Sequence, residues 1–161
     1  ADALTDIAQR GGEAVVIGGG LLGLEAAEGL RKRGNAISVS VLQRSERLMN
    51  RQLDTTASHL LENELAQRGL KVITGAQLAR LEGDAQGQVS KIHLDDGRQL
   101  AATSVIIAAG ITPNAALGHQ AGLTTERAIV VDEFLITSDP AISALGGWNR
   151  SGVRWKYSPP G

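Results

Sequence analysis

Cysteine is absent from the 161 residues. That excludes a disulfide framework, a thiolate metal site and a redox dithiol from this chain. Aromatic side chains are scarce: Phe134, Trp148, Trp155 and Tyr157 are the only ones, and none precedes residue 134. The core before that point must therefore be built from Leu, Ile, Val and Ala. An excess of either charge is also missing. Net charge is −1, with acids and bases interspersed, so neither nucleic acid nor an anionic membrane is expected as a partner. No apolar run approaches the roughly eighteen residues of a membrane span, and no signal-peptide pattern opens the chain. A soluble cytoplasmic protein is expected. Ser–His–Asp ordering is lacking as well, and no carboxylates or histidines cluster at metal-ligand spacing. The chain is therefore expected to carry no catalytic side chain and no metal.

Glycine is plentiful, and its placement matters most at one point. Val15-Val16-Ile17 reads as a buried parallel strand. Gly18, Gly20 and Gly23 follow at the spacing G-x-G-x-x-G, and a helix with Leu24, Ala27 and Leu30 on one face begins at once. Between strand and helix this spacing has a mechanism. Gly18 permits a tight turn, Gly20 lets a diphosphate approach the backbone, and Gly23 lets helix and strand pack closely. The helix N-terminus then offers N–H groups and partial positive charge to phosphates. A dinucleotide site is expected over Gly18, Gly19, Gly20, Leu21, Leu22 and Gly23.

Around that turn the chain reads as α/β. A short helix over 3–9 precedes the first strand, and Gly34 stops the second helix before a strand over 37–42. Strand two ends without the acid that would bind an NAD ribose. Gln43 stands there, able to bond a ribose hydroxyl without repelling a phosphate. Arg44 follows, to pair with a 2′-phosphate or to face solvent, so both NAD(H) and NADP(H) are admitted. Arg47 reads as a solvated charge. Asp54 is a candidate N-cap for a helix to about Arg68, with a stripe of Ala57, Leu60, Leu61, Glu64 and Leu65. His59 and His119 read as surface residues. A third parallel strand is expected over 70–74.

The period then changes from 3.6 to 2. Strands over 77–82, 88–94 and 98–102, with Asp95-Asp96-Gly97 as a hairpin turn, make an antiparallel meander. His93 is expected on its exposed side. Ser104 to Gly110 reads as a fully buried parallel strand whose small end, Ala109-Gly110, belongs at the sheet edge that carries Gly18 to Gly23. Direct cofactor contact and a plain strand exit are equally open there. A turn at Thr112-Pro113-Asn114, a short helix over 115–120 and strands over 128–132 and 141–147 complete the pattern.

Three of these stretches together carry a resemblance. They are Val16 to Glu25, Ala108 to Asn114, and Ile129 to Asp132 with Thr137 to Pro140. Over residues 10–147 the chain resembles the NAD(P)H-binding domain of the FAD-dependent pyridine nucleotide-disulfide oxidoreductases. Arg47 to Asp54 is most similar to the flavin module of NAD(P)H-dependent nitrite reductases, with rubredoxin and ferredoxin reductases next. The resemblance implies a Rossmann-like three-layer domain over 1–122 and a partial FAD-domain segment over 123–147. Residues 148–161 match nothing in the family and read as an atypical tail, either a truncated or frameshifted end or a disordered extension. It implies hydride transfer from NAD(P)H to flavin, with Leu21 and Leu22 where the two rings meet. It puts Glu25 near the nicotinamide, although Glu25 also reads as an ordinary first-turn acid. A second G-x-G-x-x-G and an acid after Gly146-Gly147 are absent. FAD is thus expected in the complete enzyme rather than on this chain, which alone is expected to be inactive. Missing FAD-domain segments or an electron-acceptor domain are the implied partners. The alternatives are a nucleotide-sensing module without chemistry, a rubredoxin or ferredoxin reductase fragment, and a fragment that binds nothing without its flavin partner.

Overall fold

The computed structural model describes residues 2–34, 36–145 and 149–151, and divides into two units, Ala1–Gly110 and Ile111–Gly161. The first is built on a four-stranded parallel sheet. Its strands are β1 (Gly12–Ile17), β2 (Ile37–Leu42), β3 (Lys71–Ile73) and β7 (Ser104–Ile107), in the order β3-β2-β1-β7. β1 pairs with β2 from Gly12↔Ile37 to Ile17↔Leu42, and with β7 from Ala14↔Ser104 to Ile17↔Ile107. β1 is thus central, and the three glycines leave the middle of the sheet.

Period-2 alternation divides the strand side chains between two cores. Ala14 and Val16 of β1 and Val39 and Val41 of β2 pack with Ala8, Ala27, Leu30 and Leu65 of the helices. These helices are α1 (Asp2–Arg10), α2 (Leu21–Arg33) and α3 (Thr55–Gln67). Val15 and Leu42 face the other way, onto Ile92, Leu94 and Ala102. That face is covered by an antiparallel meander of β4 (Leu78–Gly83), β5 (Val89–Leu94) and β6 (Gln99–Ala101). The three expected layers are present: helices, parallel sheet, meander. Every buried hydrophobic residue among those described is Ala, Val, Leu or Ile, as the late start of the aromatics requires.

Three expectations need correction. β7 is an edge strand, not a fully buried one: among the described residues it pairs only with β1, and Ile107 is 66% exposed. An all-apolar run signals burial on both faces, but pairing on both sides depends on strand order, which periodicity does not encode. His93 is not on an open face. It does lie opposite buried Ile92 and Leu94. Its Nε2, however, lies 2.6 Å from Glu82 Oε2 and its side chain is 15% exposed, because the side chains of Arg80, its cross-strand partner, and of Glu82, its diagonal neighbour, lie over it. In α3, Leu60 is exposed while Ser58 is fully buried; the inward stripe runs through 58, 61 and 65.

The second unit holds α4 (Ala116–Gln120) and β8 (Ile129–Val131), which pairs in parallel with β9 (Asn149–Ser151). The Asp132 carboxylate accepts from the N–H groups of Phe134 and Ile136, each at 2.9 Å, forming a tight turn with Leu135 at φ 64°. Where a strand over 141–147 was expected, the described part makes one bridge, Ile136↔Ser143. The carbonyl of Asp139 instead turns back to the N–H of Ile142. The rest of that stretch, and the tail apart from β9, lie outside the described residues.

Candidate functional site

At the carboxyl end of β1 the chain turns sharply, with Gly18 at φ 120°. The Gly18 N–H donates to Leu42 O at 2.8 Å, and the Ala108 N–H donates to Ile17 O at 2.8 Å. A methyl group on Gly18 would overlap the Ala108 carbonyl, and one on Gly23 would overlap the Gly18 carbonyl oxygen. Strand end, neighbouring strand and helix start thus converge so tightly that two of the three glycines are required by packing alone. Gly20 differs. Nothing lies within 4 Å of where its Cβ would be, and it caps α2 with an extended backbone and no side-chain partner. Among the described residues the N–H groups of Gly20, Leu21 and Leu22 meet no acceptor. They are the orphan donors of a helix start, and beside an open Gly20 they form a cradle that fits a diphosphate.

The other expected residues fall around this cradle. Leu21 and Leu22 are 58% and 60% exposed. Glu25 is exposed at the fifth position of α2; it belongs to the second turn, not the first, because the helix starts at Leu21. Ala109 and Gly110 are exposed at the end of β7, beside the Ala108 carbonyl that abuts Gly18. Arg44 is exposed, and no described residue pairs with it.

Gln43 is engaged. Its Oε1 accepts from the Gly19 N–H at 2.8 Å, and its Nε2 donates to the Ser45 hydroxyl. Arg47, expected in solvent, is half-buried and donates to Thr55 Oγ1 at 2.7 Å. With Ser45, Glu46, Asn50, Thr55 and His59 it lines a cavity of about 490 Å³ beyond β2. No group of three or more His, Asp or Glu able to hold a metal occurs among the described residues. No helix among them is long and apolar enough to cross a membrane.

Sequence reasoning missed three residues here: Leu48, Met49 and Ser58. Leu48 is fully buried, with a methyl at Gly19, and the Met49 N–H donates to Gly19 O at 2.9 Å. The Ser58 hydroxyl donates to Leu48 O at 2.9 Å. Only Ser58 left a signal, its place three and seven residues before Leu61 and Leu65 on the inner face of α3.

The parallel sheet, its helical layer and the glycine turn at the end of the central strand define an α/β domain of the Rossmann type. The signature of the pyridine nucleotide-disulphide oxidoreductases matches residues 1–156, and the chain belongs to that family. It is 42% identical over 144 residues to the assimilatory nitrate reductase electron transfer subunit of Bacillus subtilis, covering 89% of this chain and 18% of that protein. It is 42% identical over 134 residues to nitrite reductase [NAD(P)H] of the same organism, covering 83% and 16%. A ferredoxin reductase of Rhodopseudomonas palustris superposes with a TM-score of 0.84 at 29% identity, covering 93% of this chain and 36% of that one. The chain thus spans less than a fifth of the two Bacillus relatives.

Proposed function

We propose that the chain is the NAD(P)H-binding part of a cytoplasmic FAD-dependent oxidoreductase of the nitrite and nitrate reductase type, in which hydride passes from the nicotinamide to the flavin. The observation that carries this reading is the cradle: three N–H groups that meet no acceptor among the described residues, at Gly20, Leu21 and Leu22, with open space at Gly20. The relatives' names, nitrate reductase electron transfer subunit and nitrite reductase [NAD(P)H], support it.

Hydride chemistry is supplied by the nicotinamide when it is bound, and the protein contributes position. Gly18, Gly19 and Gly23 shape the turn, and the backbone of Gly20 to Leu22 holds the diphosphate. Leu21 and Leu22 give the rings an apolar floor. Glu25, one helical turn further, borders the nicotinamide, and Ala109 with Gly110 leaves it room. At the ribose, Gln43 carries no charge to repel a 2′-phosphate and Arg44 is free to meet one, so both NADH and NADPH are accepted. The flavin is held by an FAD domain to which 123–147 contributes a part, and the electron acceptor docks on the complete enzyme.

Isothermal titration of the 161-residue chain with NADH and with NADPH tests this. Binding of both, with no flavin retained on purification, is expected. A cooperatively folded chain that binds neither would overturn the reading.

A further inference from the structure

Gly19 does not hold its own orientation; the loop after β2 holds it. Its N–H is taken by Gln43 Oε1 at 2.8 Å, and its C=O accepts from the Met49 N–H at 2.9 Å. The Met49 N–H and the Leu48 C=O belong to one peptide unit. That unit is held at its other end by Ser58, whose fully buried hydroxyl donates to Leu48 O at 2.9 Å. The Leu48 N–H meets Glu62 Oε1 at 3.3 Å, and the Met49 carbonyl accepts from both Gln52 and Leu53. Met49 sits at φ 49°, a conformation that a side-chain-bearing residue keeps only where its surroundings enforce it.

A trans peptide points its N–H opposite to its C=O. The unit joining Gly19 to Gly20 has its C=O fixed on Met49, so its N–H, that of Gly20, is turned away from the loop into the open cradle.

We propose that Ser58 is a positioning residue for nucleotide binding. It acts through a relay of two peptides, from the Ser58 hydroxyl to the Leu48–Met49 unit to the Gly19–Gly20 unit, which aims the Gly20 N–H at the nucleotide's phosphate. Each hydrogen bond in such a chain polarises the next, so the relay sets both the direction and the donor strength of that amide. The proposal rests on the nucleotide reading above. It assigns a role in binding to a buried helix residue that never meets the ligand.

The test compares Ser58→Thr with Ser58→Val, which share a shape and differ in the hydroxyl. Three readouts are taken: thermal unfolding, Kd for NADH and NADPH, and amide hydrogen exchange at Met49 and Gly20. The Thr variant is expected to bind as the parent does. The Val variant is expected to bind both nucleotides about three- to tenfold more weakly, the worth of one hydrogen bond, with the Met49 amide losing protection. Equal affinities in Thr and Val variants that are equally folded would overturn the proposal. So would a Met49 amide that exchanges freely in the parent chain, a result that stands even if the Val variant fails to fold. A parent chain that binds neither nucleotide sinks the reading of function instead, and Met49 protection lost in Val but kept in Thr then still shows the relay.

Discussion

The glycine turn after β1 and the loop after β2 meet at Gly19, yet they are built on opposite terms. The turn is made of backbone: Gly18 and Gly23 are glycine because a methyl on either would strike a carbonyl. The loop is made of side chains reaching for backbone: Gln43 to Gly19, Ser45 to the Arg47 carbonyl, Ser58 to Leu48. A backbone device tolerates no substituent. A side-chain device can be altered by degrees. The turn therefore has few viable sequences and a recognisable spacing, while the loop has many sequences and no signature.

The largest expected effect follows from the turn. Gly23→Ala places Cβ on the Gly18 carbonyl oxygen, so α2 must leave β1. A loss of more than about 4 kcal/mol is expected, the range reserved for gross steric conflict, read as failure to unfold cooperatively in urea. A Gly23→Ala chain with a parent-like midpoint would show that the turn is as forgiving as the loop. Leu48→Ala comes next. Leu48 is fully buried in the core on the helix side of the sheet, and its truncation is expected to cost about 2–5 kcal/mol by chemical denaturation. A loss under about 1 kcal/mol would mean that the loop collapses around the gap.

Gly20→Ala separates binding from stability within the turn. Gly20 has open space at its Cβ and φ −89°, ψ −177°, which any residue adopts. Stability should fall by no more than about 1 kcal/mol, since Gly is preferred to Ala at an N-cap. Nucleotide affinity should fall about tenfold or more, since the methyl enters the space a phosphate needs. Unchanged Kd by titration would move the diphosphate elsewhere. In the loop, Gln43→Glu keeps an acceptor for the Gly19 N–H and adds a charge. NADPH should weaken about tenfold relative to NADH, from a like charge a few ångströms off the 2′-phosphate. Equal weakening of both would show that Gln43 serves only the clamp.

The same contrast explains what could be read from sequence. The β1 turn, β2, the Asp54 cap on the Ala57 N–H and the meander were legible because each rests on a local rule of spacing, capping or period. The edge position of β7, the shelter of His93 and the exposure of Leu60 were not, since each depends on what lies beside the element in space. Met49 is the sharpest case. Nothing in Arg47-Leu48-Met49-Asn50 marks a left-handed residue, and its conformation is imposed by Gly19 and Ser58 on the peptide before it and by the N–H groups of Gln52 and Leu53 on the carbonyl after it.

The smallest effect concerns the helices that carry the two devices. Glu28 on α2 pairs with Arg31 at 2.7 Å and Lys32 at 3.5 Å, and reaches Arg68 at the end of α3 at 3.4 Å. The Arg31 hydrogen bond, with the charges of Arg31 and Lys32, lowers its pKa from 4.5 to about 2. A carboxyl lowered in the folded state is stabilising above its unfolded value, and that contribution fades as pH falls from about 4.5 toward 2. The partners are largely in solvent, so the effect is modest and screened by salt. Glu28→Gln should flatten the acid limb of the stability curve between those pH values and leave the neutral melting temperature within a few degrees. The acid limb should also steepen at low ionic strength in the parent chain alone. Identical acid limbs in parent and variant would show that the Glu28 pairs on α2 add nothing to the stability of the fold that carries the turn and the loop.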